Sequence, residues 1–85
     1  NMTHITIYYY NWCGFSLQAI QYCRLHKLKF VKHDMSKYGG KSEVIKSLKK
    51  HKFMSKSNSH NTAPVIFIGD KFIGGFEELV NHFNF

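Results

Sequence analysis

The 85-residue chain sets 12 lysines and arginines against five acidic residues, for a formal charge of +7, with a hydrophobic share of 44% and one proline. That length allows one domain, expected over residues 1–85, and it is large enough to hold a core without obligatory disulfides or metals. No apolar run reaches the roughly 18 residues of a membrane span, no leader pattern opens the chain, and two cysteines are too few for a secreted disulfide framework. A cytoplasmic protein with reduced thiols and no membrane partner is therefore expected.

The first predicted element is a strand over His4–Tyr10, with Ile5, Ile7 and Tyr9 on one side and Thr6, Tyr8 and Tyr10 on the other. From Gly14 to about His26 the spacing predicts a helix whose broad apolar face carries Leu17, Ala19, Ile20 and Cys23. Cys13 stands at the junction. Lys29–His33 reads as a second strand, and Asp34–Gly40 as a loop with a Gly-Gly break. Ser42 is expected to cap a helix to about Lys50, with Val44, Ile45 and Leu48 on one face. A strand–helix–strand sequence implies parallel pairing with a right-handed crossover.

After a polar loop at Ser55–Asn61, Val65–Ile68 is a strand, Gly69-Asp70 a hairpin turn and Phe72-Ile73 its antiparallel return. Gly74-Gly75 ends the sheet, and a last helix places Phe76, Leu79, Val80 and Phe83 at i, i+3, i+4 and i+7, with Glu77 and Glu78 in its first turn. The order βαβαββα predicts an α/β fold, a four-stranded mixed sheet with three helices on its faces.

The positive charge favours anionic partners. Its densest run, Lys46–Lys56, carries no nucleic-acid motif and reads as a solvated helix face and loop, so nucleic acid is not the expected partner. The same field would attract a small anionic thiol. Six histidines are scattered without compact ligand spacing, which sets aside a zinc site.

A cysteine at the amino end of a helix meets unpaired backbone N–H groups and the positive end of the dipole, which favour thiolate over thiol. Cys13 is thus the candidate nucleophile, and Cys23, mid-helix on an apolar face, is an inert core residue. Ten residues of helix, roughly 15 Å, separate the two, beyond the roughly 7 Å that a disulfide tolerates. Gly14 would let a partner sulfur approach closely, and Trp12 would shield one side. Ser16, one turn after Cys13, is expected to face the same partner, where its hydroxyl can bond a thiolate or cap the helix. A mixed disulfide on Cys13 would then have no second protein thiol beside it.

Three motifs, Cys-Gly-Phe-Ser at Cys13 to Ser16, Thr-Ala-Pro at Thr62 to Pro64 and Gly-Gly-Phe-Glu-Glu at Gly74 to Glu78, resemble in order and spacing the signatures of glutaredoxins. The resemblance covers essentially the whole chain and implies a thioredoxin-like fold. It implies Cys13 as the nucleophile toward a glutathione mixed disulfide, assisted by Ser16, and Pro64 as the family's cis-proline. Ala63 would then offer its backbone to the cysteinyl part of glutathione, and Gly75, Phe76 and Glu77 would hold the γ-glutamyl carboxylate. Tyr10, Trp12, Gly14 and Phe15 complete the implied glutathione-binding set. Tyr10 stands where many members have a lysine, and Lys46, Lys49 or Lys50 are candidates to replace its charge. Ala63 replaces a usual valine.

The CGFS tetrapeptide resembles the monothiol class, many of whose members hold a [2Fe–2S] cluster between two subunits. Two copies of Cys13 and two glutathiones would supply its four thiolates, making Cys13 the one metal ligand of this chain. That class usually has an extended loop before its cysteine, whereas only Asn11-Trp12 separates Tyr10 from Cys13 here. The leading expectation is a glutathione-dependent thiol-disulfide oxidoreductase acting by a monothiol mechanism on glutathionylated proteins or small disulfides. The alternative is a glutathione-ligated [2Fe–2S] carrier. The former works as a monomer, and the latter requires a dimer.

Overall fold

A computed structural model describes residues 4–84. The expected domain over 1–85 includes residues 1–3 and 85, which lie outside the described range. In β1 (Ile5–Tyr9) the alternation of side chains sends Ile5 and Ile7 to one face of the sheet and Tyr8 to the other, so both faces are covered. A tight turn leads into α1 (Gly14–Leu25), and β2 (Phe30–Asp34) returns parallel to β1, with Ile5 opposite Phe30 and Tyr9 opposite Asp34. After α2 (Lys41–Lys50), β3 (Val65–Ile68) pairs antiparallel with β1, and β4 (Lys71–Gly74) closes a hairpin before α3 (Phe76–Phe83). The sheet order is β2-β1-β3-β4, a four-stranded mixed sheet as the element order implied and the thioredoxin-like fold that the resemblance implied.

The core lies in two layers. α1 and α3 cover one face of the sheet, burying Ile5, Ile7, Ala19, Ile20, Cys23, Ile66 and Leu79. α2 covers the other with Val44, Ile45 and Leu48, joined by Met35, Met54, Val65 and Phe67. The continuous apolar run of β3 follows from this, because a strand covered on both faces has no polar side to present. Among the described residues no helix is long and apolar enough to cross a membrane.

Several boundaries differ from the sequence expectation for physical reasons. The loop Asp34–Gly40 contains a 3-10 turn, Met35–Tyr38, because Met35 is drawn into the core and the Asp34 carboxylate accepts from the Ser36 N–H (3.0 Å) and hydroxyl (2.7 Å). Ser42 does not cap α2. Gly40 holds the N-cap position without a side-chain bond, and the helix begins at Lys41. On α1 Leu17 faces solvent and Ser16 takes its place on the buried side.

Antiparallel pairing of β1 with β3 places Tyr8 opposite Val65, so the end of β1 and the start of β3 meet at one edge of the sheet. Partner positions step from Phe67–Phe72 to Ile66–Gly74, which leaves Ile73 as the extra residue of a bulge just before α3. Three segments distant in sequence thereby converge: the turn after β1, the loop before β3 and the amino end of α3.

Candidate active site

Cys13 sits at the N-cap of α1 with extended backbone (φ −95°, ψ 119°), its carbonyl accepting the first helical bond from Leu17 (3.1 Å) and its N–H bonded to the Tyr10 carbonyl (3.2 Å). The thiol is half-buried and donates to the Ala63 carbonyl at 3.6 Å, which ties it to the loop before β3. Partial burial pushes the thiol pKa up, but bonds to the sulfur from the Ser16 N–H, the Ser16 hydroxyl and the Phe15 N–H, helped by the Lys41 ammonium, outweigh it and leave Cys13 below its ordinary value. Cys23 shows the opposite case. Wholly buried, its thiol is pushed up to about 11, so at neutral pH it is protonated and inert.

Ser16 has no exposed surface, contrary to the expectation that it faces an incoming partner. Its hydroxyl oxygen accepts the Tyr10 N–H (3.3 Å), fixing the turn that carries the thiol. The Tyr10 side chain turns away from the thiol toward α2. Its hydroxyl oxygen accepts the Lys41 N–H, and its ring stacks on Trp12 (centroids 4.3 Å apart, 22° between planes). This bond docks the first residue of α2 beside the turn, which explains why Lys41, rather than Lys46, Lys49 or Lys50, is the lysine whose charge acts on Cys13.

On the far side of the thiol, a cleft of about 620 Å³ runs between the loop before β3 and α3, lined by Phe15, His60, Thr62, Ala63, Pro64, Phe76 and Glu77 among others. The Ala63-Pro64 peptide is cis. His60 Nε2–H donates to the Pro64 carbonyl (3.1 Å), and its ring packs edge-on against Phe72 (5.2 Å). At the α3 end, Gly74 adopts φ +125°, and a Cβ there would lie 2.8 to 3.0 Å from the Glu78 side chain. Only glycine leaves room for Glu78 to fold back and accept the Gly75 N–H (2.8 Å). The following N–H groups, of Phe76 and Glu77, belong to the first helical turn and have no acceptor within the helix.

A glutaredoxin family model matches residues 5–73, most of the chain. The chain belongs to the glutaredoxin family. Among solved structures it resembles the crystal structure of glutaredoxin 1 from Francisella tularensis complexed with cacodylate, with a TM-score of 0.79 at 27% identity over 95% of this chain and 92% of that one. The holo form of glutaredoxin C1 from Populus tremula x tremuloides gives a TM-score of 0.72 at 19% identity, covering 94% of this chain and 67% of that one. The dithiolic glutaredoxin 2-C-Grx1 from Trypanosoma brucei brucei gives 0.71 at 18%, covering 94% and 78%. The last two bear on the fold alone. No curated protein matches the chain in sequence.

Thiol-disulfide oxidoreductase chemistry, with glutathione as substrate or cofactor, is what glutaredoxins perform, and it accords with the site. The structure brings Phe15, Ala63, Pro64, Gly75, Phe76 and Glu77 onto one cleft, with Cys13 at its edge through Ala63. Trp12 and Phe15 are strongly exposed, at 68% and 63%, and beyond its chain neighbours and its own helix Gly14 has nothing within 4 Å of where a Cβ would stand, so this turn faces open space. Within this set the Gly75 N–H is already taken by Glu78, which leaves the open amides at Phe76 and Glu77. Sequence reasoning missed Lys41, His60 and Glu78. Lys41 follows directly on the Gly39-Gly40 break, and that position was the available signal. Among the described residues no three His, Cys, Asp or Glu side chains gather to hold a metal, so the residues of one chain do not make up a cluster's ligand set.

Proposed function

We propose that the chain is a glutathione-dependent oxidoreductase that reduces glutathione mixed disulfides by a monothiol mechanism. The observation carrying this reading is a half-exposed thiol of lowered pKa at the edge of a cleft, with the only other cysteine buried in the core. The glutathione half of a mixed disulfide would lie in the cleft, its cysteinyl backbone against Ala63 and its γ-glutamyl carboxylate on the Phe76 and Glu77 amides. Glu77 and Glu78 would face the γ-glutamyl ammonium. Lys41 would meet the glycyl carboxylate, standing in for the lysine that Tyr10 replaces.

So held, the glutathione sulfur lies in line with Cys13. The thiolate attacks it, a Cys13–glutathione disulfide forms, and the old disulfide breaks to release the substrate as a thiolate, which takes a proton from water. A second glutathione, as thiolate, then attacks the bound glutathione sulfur, releasing oxidised glutathione and restoring the Cys13 thiolate. A coupled assay with a glutathionylated peptide tests the reading. Turnover that needs glutathione and disappears in Cys13→Ser is expected, and equal rates in the two proteins would overturn it. A cytoplasmic address is part of this proposal, supported by two free cysteines.

The same observation, one accessible thiol and no resolving partner, also suits a [2Fe–2S] cluster shared by two chains and two glutathiones. Anaerobic reconstitution with iron, sulfide and glutathione separates the two readings. A coloured dimer supports the cluster, and a colourless monomer removes it.

A further inference from the structure

Along β2 the alternation of side chains separates the charges. Lys32 turns to the α1 and α3 side, its ammonium 5.5 Å from the centre of the Tyr9 ring, while His33 turns to the α2 side and stacks on Tyr8 (centroids 5.2 Å apart, 30° between planes). Tyr38, from the 3-10 turn, meets the His33 ring edge-on at 6.3 Å. Burial, with the Tyr38 phenol nearby, holds the Tyr8 hydroxyl above its ordinary pKa, so it stays protonated. With Glu43, Val44 and Leu48 of α2 these rings line a hollow of about 460 Å³. It shares no residue with the glutathione cleft or with the flank of α2 that carries Lys41, Lys46 and Lys49. The Glu43 stem lies beside Gly39, where a Cβ would stand 3.1 Å from its Cγ, and among the described residues no hydrogen bond or ion pair holds its carboxylate. A second hollow of about 160 Å³ shares Tyr8 and Leu48 with the first and adds Phe53, Phe67 and Asp70. The chain has 12 lysines and arginines, yet none lines either hollow, whereas two of its five acidic residues do.

We infer that the two hollows form one docking track for an arginine-bearing basic segment of a partner polypeptide, with one guanidinium held between the Glu43 carboxylate and the Tyr8, His33 and Tyr38 rings and a second reaching Asp70. A guanidinium is flat and weakly hydrated, so it can donate to a carboxylate through its edge while its face lies on an aromatic ring. An ammonium, more strongly hydrated and without that flat face, gains less from the same surroundings. The ground between the two carboxylates is apolar, formed by Leu48, Phe53 and Phe67, and it matches the aliphatic stems of long basic side chains. Two acidic ends on one track fit a polypeptide with two positive side chains better than a single small cation. The net charge of +7 comes from lysines placed elsewhere, and at about 0.15 M salt charges beyond roughly 8 Å are largely screened, so contacts inside the track decide binding. The inference stands apart from the proposed deglutathionylation, since no residue of the track lines the glutathione cleft. What it adds is partner choice, because a polypeptide anchored here is concentrated around Cys13 without occupying that cleft.

The test is an NMR titration of the full chain at about 0.15 M salt with short cysteine-free peptides carrying two arginines, two lysines or two glutamines, and with free arginine amide. The arginine peptide is expected to shift the ring signals of Tyr8, His33 and Tyr38 and to bind about fivefold more tightly than the lysine peptide, with no shift from the glutamine peptide. Glu43→Gln should weaken the arginine peptide by about tenfold, and Tyr38→Leu, at an exposed position, by about fivefold. Both variants should keep the wild-type unfolding midpoint and glutathione-dependent turnover. No shift at about 1 mM arginine peptide, equal binding of the arginine and lysine peptides, or an affinity that survives both variants would overturn the track. Arginine amide binding as tightly as the two-arginine peptide would overturn the polypeptide assignment in favour of a small-cation site. Peptide binding as expected in a protein that shows no glutathione-dependent turnover would overturn the proposed activity and support the track alone.

Discussion

At Cys13 the balance between thiol and thiolate is set by neighbours that sequence distance hides. Burial disfavours the charge, and the Ser16 and Phe15 N–H groups, the Ser16 hydroxyl and Lys41 favour it more. Because the folded value lies below that of an unfolded cysteine, the folded state is favoured by this group above the unfolded value, and that contribution is lost as pH falls through the folded one. Alkylation of Cys13 followed against pH should therefore show a midpoint below that of a free cysteine, while Cys23, at about 11, stays unreactive. Lys41→Gln should move the midpoint up and slow alkylation at neutral pH by roughly threefold, with variant and wild type converging at high salt. An unchanged midpoint would remove Lys41 from the site. Ser16→Ala should also raise the midpoint. Because it strips the part-buried Tyr10 N–H of its acceptor, it should cost about 1 kcal/mol in denaturant unfolding.

At the scale of elements, the site depends on how α3 is seated. Leu79 is wholly buried and anchors the helix to the sheet, so Leu79→Ala should cost about 2–5 kcal/mol and weaken glutathione binding, read by unfolding and by KM. Gly74→Ala should cost about 1–3 kcal/mol, because φ +125° and the Glu78 side chain both oppose a Cβ. An unaffected melting transition would show that Glu78 swings aside freely. Strong periodicity made most elements readable: alternation in β1, the i, i+3, i+4, i+7 spacing of α3 and the Gly-Asp hairpin are each signals contained within a few consecutive residues. The 3-10 turn was not readable, because one buried methionine followed by Ser-Lys-Tyr has no period to detect. Leu17 and Ser16 exchanged places because hydrophobicity ranks leucine inward, whereas the unpaired Tyr10 N–H required an acceptor at residue 16.

Across the whole molecule, the three motifs could be recognised as belonging together, yet their convergence depends on β1–β3 pairing and the bulge before α3, which no local pattern encodes. Lys41 is the sharpest case. It lies 31 residues from Tyr10 in sequence, and only the docking of α2 onto the Tyr10 hydroxyl places it near the thiol. The charge distribution follows the same logic, with carboxylates at the α3 end of the cleft and lysines along α2. The most direct check of the monothiol mechanism is the mass of the intact protein after one equivalent of glutathionylated peptide, with no free glutathione present. Transfer of glutathione alone onto Cys13, with free peptide thiol released and the same adduct in Cys23→Ala, is the expected result. A peptide adduct on Cys13, or any adduct on Cys23, would contradict it.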